Sequence, residues 1–112
     1  MIEGTKLQIS GDRLLLILAA LASAPRLKII GALRQNGRNY VSQLAREVGL
    51  SRPLLHLHLN KLEEAGLVTS KLELSDDGKA LNYFEVTPFA IELSPEIIAA
   101  ACASLTPPSN QT

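Results

Sequence analysis

The sequence has no tryptophan, a single cysteine and only 4% aromatic residues. Its core must therefore be built from Leu, Ile, Val and Ala, which suits packed helices, and 112 residues are enough for one such domain. A single cysteine excludes an internal disulfide, and no Cys/His cluster has the spacing of a zinc site. The longest apolar run, residues 14–22, is too short for a membrane span of about 20 residues, and no signal-peptide pattern precedes it. We therefore expect a cytoplasmic protein without a metal or other cofactor.

Net charge is also lacking, because 11 basic residues balance 11 acidic ones. The charges are nevertheless unevenly distributed, since residues 26–62 carry seven basic residues and the single acid Glu47, a local charge of +6. Such a field attracts a polyanion over a Debye length of roughly 10 Å. An ordinary solvated helix surface is the alternative explanation. The seven basic residues are Arg26, Lys28, Arg34, Arg38, Arg46, Arg52 and Lys61.

The first predicted helix is apolar on nearly every side. It runs from an N-cap at Asp12 to about Ala22 and follows an N-terminal arm over residues 1–11. A surface helix needs only one apolar stripe, so the second face of this helix must be buried against something else. A symmetric partner chain would bury it, and a central position in the core of a monomer is the alternative. The apolar residues are Leu14, Leu15, Leu16, Ile17, Leu18 and Leu21.

After the first helix, the sequence predicts a second helix, a short strand, a third helix and a tight turn. The second helix is predicted from Pro25 to about Gln35, and a very short strand is predicted over residues 39–41. Ser42 is the expected N-cap of a third helix. Ala45 and Gly49 predict the turn at the end of that helix, because a small residue allows close helix approach and glycine readily adopts a positive φ.

The fourth predicted helix spans residues 52–65, between the N-cap Ser51 and Gly66. At 100° per residue, three leucines fall within one narrow arc and form the core stripe, whereas polar, aliphatic and charged side chains share the rest of the surface. Such a mixture can contact both bases and phosphates. The stripe is Leu55, Leu59 and Leu62; Pro53, His56, Leu57, Asn60 and Glu64 point outward, and Arg52, Leu54, His58 and Lys61 lie on the flanks.

A β-hairpin is predicted after the fourth helix. Its strands cover residues 67–74 and 82–86, and the turn between them lies at residues 75–78. A hairpin that follows two helices joined by a tight turn is typical of the wing of a winged helix-turn-helix. The wing is therefore predicted over about residues 67–86.

The C-terminal part is expected to contain one more helix. A short extended segment over residues 89–93 precedes this helix, which covers about residues 95–105 and begins with a Ser-Pro-Glu capping pattern. The predicted fold is a winged helix-turn-helix, mainly α with a small β-hairpin wing (α+β), with about five helices over residues 12–105. The tail over residues 106–112 is expected to be disordered.

This pattern resembles the ArsR-type winged helix regulators. The match runs over residues 21–86 and rests on LASAPRLKII at 21–30, LA at 44–45, VGLS at 48–51 and LNKLEEAGLV at 59–68. The resemblance implies a homodimer joined through the first and last helices, and binding to a palindromic operator, usually as a repressor. The expected dimer interface consists of Leu14, Leu15, Ile17, Leu18, Leu21, Ile97, Ile98, Ala101 and Leu105.

The sequence departs from those ArsR proteins that sense metals. Such proteins use cysteines near the recognition helix or Asp/His/Glu sets on the last helix, whereas here the last helix offers only Glu96 and Cys102. His56 and His58 are two residues apart and point about 200° apart on a helix, so they cannot share a metal. We therefore expect no metal site. Cys102 is a candidate redox sensor, but burial at a packing contact is the more common role of such a cysteine.

Double-stranded DNA is the expected partner, with helix 52–65 in the major groove and the wing near the backbone. Asp76 and Asp77 near the wing tip would repel phosphate. Phosphate contacts are expected from Arg38, Arg46, Ser51, Arg52, Lys61 and Lys79, with help from Lys71 and Asn82, and base contacts are expected from Pro53, His56, Leu57 and Asn60.

Leu57 leaves a second function open, because the ArsR family usually carries a polar or basic residue at this position. A leucine there could contact a thymine methyl group. It could instead mark a protein-interaction surface in a transcription or signalling assembly, with Leu54 and Pro53 as further anchors. Catalysis is not expected, since the sequence has no nucleophile–base pair, phosphate-cradling glycine loop or paired catalytic carboxylates at a usable spacing.

Overall fold

A computed structural model of the chain describes residues 9–107. Most of the predicted N-terminal arm and most of the predicted disordered tail lie outside the described residues. Within residues 9–107, five helices and three strands confirm the predicted winged helix architecture. In chain order they are α1 (Gly11–Leu21), α2 (Ala24–Asn36), β1 (Asn39–Tyr40), α3 (Val41–Val48), α4 (Arg52–Glu64), β2 (Val68–Leu74), β3 (Ala80–Val86) and α5 (Pro95–Cys102).

Serine side chains cap four of these helices. In each case the hydroxyl oxygen accepts a hydrogen bond from the backbone N–H three residues later, at 3.1–3.3 Å. Such a cap satisfies one of the free N–H groups of a first helical turn and contributes about 1 kcal/mol. Proline in the first turn of α2, α4 and α5 adds a preset φ at no cost in hydrogen bonding. The four caps are Ser10, Ser23, Ser51 and Ser94.

Two predicted caps are wrong. Asp12 is not the N-cap of α1, because Ser10 has the extended backbone and accepts from the N–H of Arg13. Ser42 does not cap α3, because that helix begins at Val41 directly after the paired strand residue Tyr40 and has no side-chain cap. Both helices therefore begin two residues earlier than the sequence indicated.

The three strands form one antiparallel sheet with the order β1-β3-β2. Tyr83 of β3 pairs with Tyr40 on one side and with Lys71 on the other. The β2–β3 hairpin confirms the predicted wing, although β3 begins at Ala80, two residues earlier than expected. Residues 89–93, the predicted short extended segment, are not part of this sheet.

The core lies between α1–α4 and the base of the wing. It is built from aliphatic side chains with a single phenylalanine, as the composition required. The three leucines predicted as the stripe of α4 are fully buried. Burial of one such side chain contributes about 1.5–3 kcal/mol, so the stripe holds α4 firmly against the domain. The fully buried large side chains are Ile29, Leu33, Leu44, Leu55, Leu59, Leu62, Leu67 and Val68.

The last helix packs against the first helix of the same chain. Gly11 lies very close to the C-terminal segment. A Cβ at Gly11 would overlap the Ala101 carbonyl oxygen and come within 2.6 Å of Leu105 Cγ. The Gly11 N–H donates to Ser104 Oγ at 2.8 Å. The backbone N–H of Thr106 donates to Asp12 at 2.9 Å, so the ordered chain continues past the predicted start of the tail.

These contacts correct the predicted dimer interface. Leu14, Ile17 and Ala101 are buried inside their own chain and belong to its interior. The helix α5 ends at Cys102, before the predicted residue 105, and Cys102 is exposed instead of buried. Leu21 and Ile97 are half-buried. The predicted interface residues that remain exposed are Leu15, Leu18, Ile98 and Leu105, joined by Leu16 on α1.

No single helix within the described range is long and apolar enough to cross a bilayer. Only α1 and α2 taken together meet that criterion, as a pair bent by 90°.

Candidate nucleic-acid interface

The turn between α3 and α4 sets the direction of α4. Gly49 ends α3 in the left-handed conformation with φ 73°, which a residue with a side chain adopts only at a cost of roughly 1–2 kcal/mol. The N–H groups of Gly49 and Leu50 both donate to the Ala45 carbonyl, at 2.9 and 3.0 Å. Ser51 then caps α4 three residues after α3 has ended. This is the predicted helix-turn-helix, with α4 in the position of the recognition helix.

The side of α4 opposite the core stripe faces solvent. Pro53, His56, Leu57 and Asn60 are all exposed, as the helical period predicted. Leu57 has 63% of its surface accessible, although it is only two residues from the fully buried Leu59. The outward face therefore offers hydrogen-bonding groups and one prominent aliphatic group.

Three exposed basic side chains on α3 and α4 have no acidic partner among the described residues. Arg46 on α3 and Arg52 and Lys61 on α4 are exposed, and within residues 9–107 none of them forms an ion pair. Ser51 uses its hydroxyl oxygen to accept from the Leu54 N–H at 3.3 Å, which leaves its O–H free to donate. The α4 N-terminus adds the partial positive charge of the helix dipole. The arrangement can attract and hydrogen-bond an anion.

Arg38 and Lys71, both predicted phosphate contacts, are engaged within the chain. Arg38 donates to both carboxylate oxygens of Glu73, at 2.8 and 2.9 Å, and lies 4.3 Å from the centre of the Tyr83 ring. Lys71 Nζ lies 3.7 Å from the same carboxylate. The hydrogen bonds from Arg38 lower the pKa of Glu73 and raise the pKa of Arg38. Sequence spacing alone does not reveal this competition, which arises because β1 and β2 pair with opposite edges of β3.

The wing tip carries little net positive charge. Lys79 and Asn82 are exposed and available, but Asp76 and Asp77 lie in the turn beside them. The Ser75 hydroxyl donates to Asp77, and this hydrogen bond lowers the pKa of the carboxyl group, which favours its charged form. The wing is therefore a weaker phosphate-binding element than α4.

Arg26 and His58 form a contact that sequence analysis missed. Arg26 Nε donates to the Ala20 carbonyl at 2.6 Å, and its Nη1 lies 3.1 Å from Nδ1 of His58. A guanidinium has only donors, so Nδ1 of His58 is the acceptor and the ring carries its proton on Nε2. Arg26 thus links the C-terminal end of α1 to α4. The sequence identifies Arg26 only as one charge of the basic segment, because His58 is distant from it in sequence.

Glu47, the single acid of that segment, is held by amides. It accepts hydrogen bonds from Asn36 at 3.3 Å, from the buried Asn39 at 3.1 Å and from Gln43 at 3.5 Å. These neutral donors fix α2, β1 and α3 relative to one another. The basic residues near α4 are consequently not neutralised by Glu47.

Comparisons with known proteins agree with this geometry. The sequence model of the bacterial regulatory protein arsR family matches residues 23–70, which include α2, α3 and α4. An uncharacterized HTH-type transcriptional regulator from Methanocaldococcus jannaschii is 38% identical over 79 residues, which cover 70% of this chain and 81% of the relative. The chain belongs to the arsR family of bacterial regulatory proteins.

Solved structures of similar shape confirm the winged helix fold of this family member. The homodimeric winged helix-turn-helix DNA-binding domain from Mycobacterium bovis has a TM-score of 0.60 and 22% identity, covering 82% of this chain and 74% of that domain. The transcriptional regulator HlyU from Vibrio vulnificus has a TM-score of 0.55 and 27% identity, covering 82% of this chain and 83% of its own.

Residues 9–107 of this arsR-family chain contain no group of three His, Cys, Asp or Glu side chains that could hold a metal ion. His56 is exposed, whereas His58 is half-buried against Arg26, so the two imidazoles face different surroundings.

Proposed function

We propose that this arsR-family regulator acts as a homodimer that represses transcription by binding a palindromic DNA site. The observation that carries the proposal is the exposed outward face of α4, bordered by Arg46, Arg52 and Lys61 without acidic partners among residues 9–107. The proposal includes no catalytic step and no cofactor, and it places the chain in the cytoplasm together with the DNA.

In this proposal α4 lies in the major groove, with its N-terminal half against the base edges. Pro53, His56, Leu57 and Asn60 contact bases. The phosphates are contacted by Ser51 through its free O–H and by Arg46, Arg52, Lys61 and Lys79, with Asn82 nearby on the wing. Arg38 and Lys71 contact phosphate only where DNA displaces them from Glu73.

The exposed aliphatic side chains of α1, of α5 and of the residues just after α5 support the homodimer. Leu15 is 60% exposed, and Leu16, Leu18, Ile98 and Leu105 are exposed as well. An apolar patch of this kind on two helices packed against each other favours a self-complementary, twofold contact. A twofold dimer would present its two α4 helices to half-sites about 34–36 Å apart, one turn of B-DNA.

The test begins with selection of bound duplexes from a random pool, using the full chain. Binding to the selected duplex is then measured by fluorescence anisotropy at several salt concentrations. Four unpaired cations in each of two protomers would neutralise about eight phosphates, which predicts a slope of log K against log salt of about −7. Failure of the confirmed dimer to bind any duplex at about 50 mM salt would contradict the proposal.

Two alanine variants separate a phosphate contact from a general loss of charge. Arg46→Ala should weaken binding to every duplex and make the slope shallower by about 1.8, from two phosphates per dimer. Lys28→Ala removes the same charge from the α2–α3 groove, where Lys28 lies near Glu47 and Asn36, and it should change the slope much less.

A protein partner for α4 is the second candidate function, favoured by the exposure of Leu57 and of Leu54, the latter 42% exposed. Leu57→Lys distinguishes the two functions. On the DNA proposal this variant keeps or strengthens general duplex binding, because it adds a cation near the backbone. On the protein-partner proposal it abolishes binding of the partner, because a charged group enters an apolar contact.

A further inference from the structure

Leu57 is the most exposed leucine of α4, on a surface that also carries Pro53, the exposed Leu54, polar and basic side chains and the acid Glu64. At 100° per residue it lies about 170° around α4 from the middle of the core stripe. With 63% of its surface accessible, it makes little contribution to the packing of its own chain. It gains free energy only when a partner of α4 removes that surface from water.

The surroundings of Leu57 select duplex DNA as that partner. The exposed cations Arg52 and Lys61 of α4 and Arg46 of α3 lack acidic partners among residues 9–107, and Asn60 is exposed three residues further along the same side. The one carboxylate on that side, Glu64, lies seven residues from Leu57 at the C-terminal end of α4. A polyanion that presents hydrogen-bonding edges suits these groups. Within the major groove, thymine alone offers an apolar group, its C5-methyl, whereas the other bases offer donors and acceptors that leucine cannot satisfy.

We propose that Leu57 determines base specificity by packing against a thymine methyl group in each operator half-site. This inference rests on the proposed DNA-binding function. Asn60 lies beside Leu57 at i+3, and its amide has the geometry for a bidentate contact with adenine. The half-site therefore contains a thymine opposite Leu57, and an adenine on either strand lies within reach of Asn60.

The experiment replaces single thymines of the selected duplex with 2′-deoxyuridine, which pairs identically and lacks only the methyl group. For the wild-type chain, one position per half-site should bind about fourfold more weakly after replacement, the effect expected for one buried methyl-sized group. For Leu57→Ala the same replacement should have no effect. If the deoxyuridine effect disappears in Leu57→Ala, the thymine methyl group contacts Leu57 and not another side chain.

Leu72→Ala is the matched control, because Leu72 on the wing is 67% exposed and equally aliphatic. It should retain the fourfold effect of deoxyuridine. Leu57→Met provides a second variant, which should keep part of the effect because its side chain is still apolar.

The inference is overturned if no deoxyuridine position weakens the wild-type complex, or if Leu57→Ala remains as sensitive as the wild type. Either result leaves the proposed DNA-binding function intact, provided that binding itself is salt-dependent. Absence of any duplex binding overturns both proposals.

Discussion

Arg38 and Glu73 form a bidentate ion pair that joins the residue before β1 to the outer half of the wing. The two hydrogen bonds measure 2.8 and 2.9 Å, and the guanidinium also lies 4.3 Å from the centre of the Tyr83 ring. Cation–π contact and paired charges both hold the guanidinium flat against the sheet. Glu73 therefore competes with any phosphate for Arg38 and, at 3.7 Å, for Lys71.

Glu73→Gln should strengthen DNA binding and steepen its salt dependence. Removal of the carboxylate charge frees Arg38 and Lys71, so the slope of log K against log salt should become more negative by about 1.8 per dimer for each of the two that contacts a phosphate. The measurement is anisotropy titration across a salt series. Glu96→Gln on α5 removes the same charge far along the chain from the wing and serves as the control. Equal effects of the two variants would contradict a specific competition by Glu73.

Leu57 and Leu59 should differ sharply in their effects on stability. Leu59 is fully buried, so Leu59→Ala should lower the free energy of unfolding by about 2–5 kcal/mol, the cost of lost burial plus a cavity. Leu57→Ala changes an exposed side chain and should stay within about 0.5 kcal/mol of the wild type. Urea unfolding at fixed protein concentration measures both values. A large loss for Leu57→Ala would mean that Leu57 is buried in the assembled protein.

Two glycine-to-alanine changes should have opposite effects on the free energy of unfolding. At Gly11 a Cβ overlaps the Ala101 carbonyl and approaches Leu105 Cγ to 2.6 Å, so Gly11→Ala should destabilise the chain by about 1–3 kcal/mol. At Gly31, inside α2, nothing lies within 4 Å, and Gly31→Ala should stabilise the chain by about 0.5–1 kcal/mol through helix propensity. Thermal or urea unfolding measures both effects, and a Gly11→Ala variant that is as stable as the wild type would contradict the close approach of α1 and α5.

The contact between Asp12 and Thr106 should make stability depend on pH in acid. Hydrogen bonds from the Thr106 hydroxyl and then from its backbone N–H lower the pKa of Asp12 below its ordinary value of 3.8. A lowered folded-state pKa stabilises the fold above the ordinary value, and this stabilisation disappears as pH falls through the lowered value. Asp12→Asn should therefore be less stable than the wild type at about pH 7, and the difference should shrink in acid, as pH falls below the ordinary value of 3.8 and through the lowered pKa.

The position of Asp12 in the first turn of α1 also favours its charge, so a second variant is needed. Thr106→Val removes the hydroxyl donor and keeps the helix dipole, and it should reproduce part of the Asp12→Asn effect. Asp76→Asn in the wing turn is the control for a general charge effect. If Asp76→Asn matched Asp12→Asn at neutral pH and in acid, the hydrogen bonds to Thr106 would not be the cause.

Elements that depend on local rules were predictable from the sequence. The leucines of α4 are buried at the positions that a 100° repeat assigns to one side, and Ser51 caps this helix as expected. Gly49 adopts the positive φ that the tight turn requires. The exposure of Leu57 and Asn60 also follows from the repeat, because a helix with one buried stripe must face water on the other side.

Contacts between distant residues were not predictable in this way. Arg38 contacts Glu73, which is 35 residues away in the sequence. Arg26 contacts His58, 32 residues away, and Asp12 contacts Thr106, 94 residues away. A helical or strand period gives the direction of a side chain about its own axis. It does not say which other element packs there. The packing of β2 beside β3 is what gives Arg38 an ion-pair partner within the same chain.

The amino-acid sequence by itself determined the order of the elements, the stripe of α4, the turn at Gly49 and the family. The tertiary structure decided which apolar side chains of α1 and α5 are left for a partner, because Leu14, Ile17 and Ala101 become buried only when α1 packs against α5 and against the rest of the core. It also decided which cations remain free, since an ion pair depends on the three-dimensional distance between charges and not on their spacing along the chain.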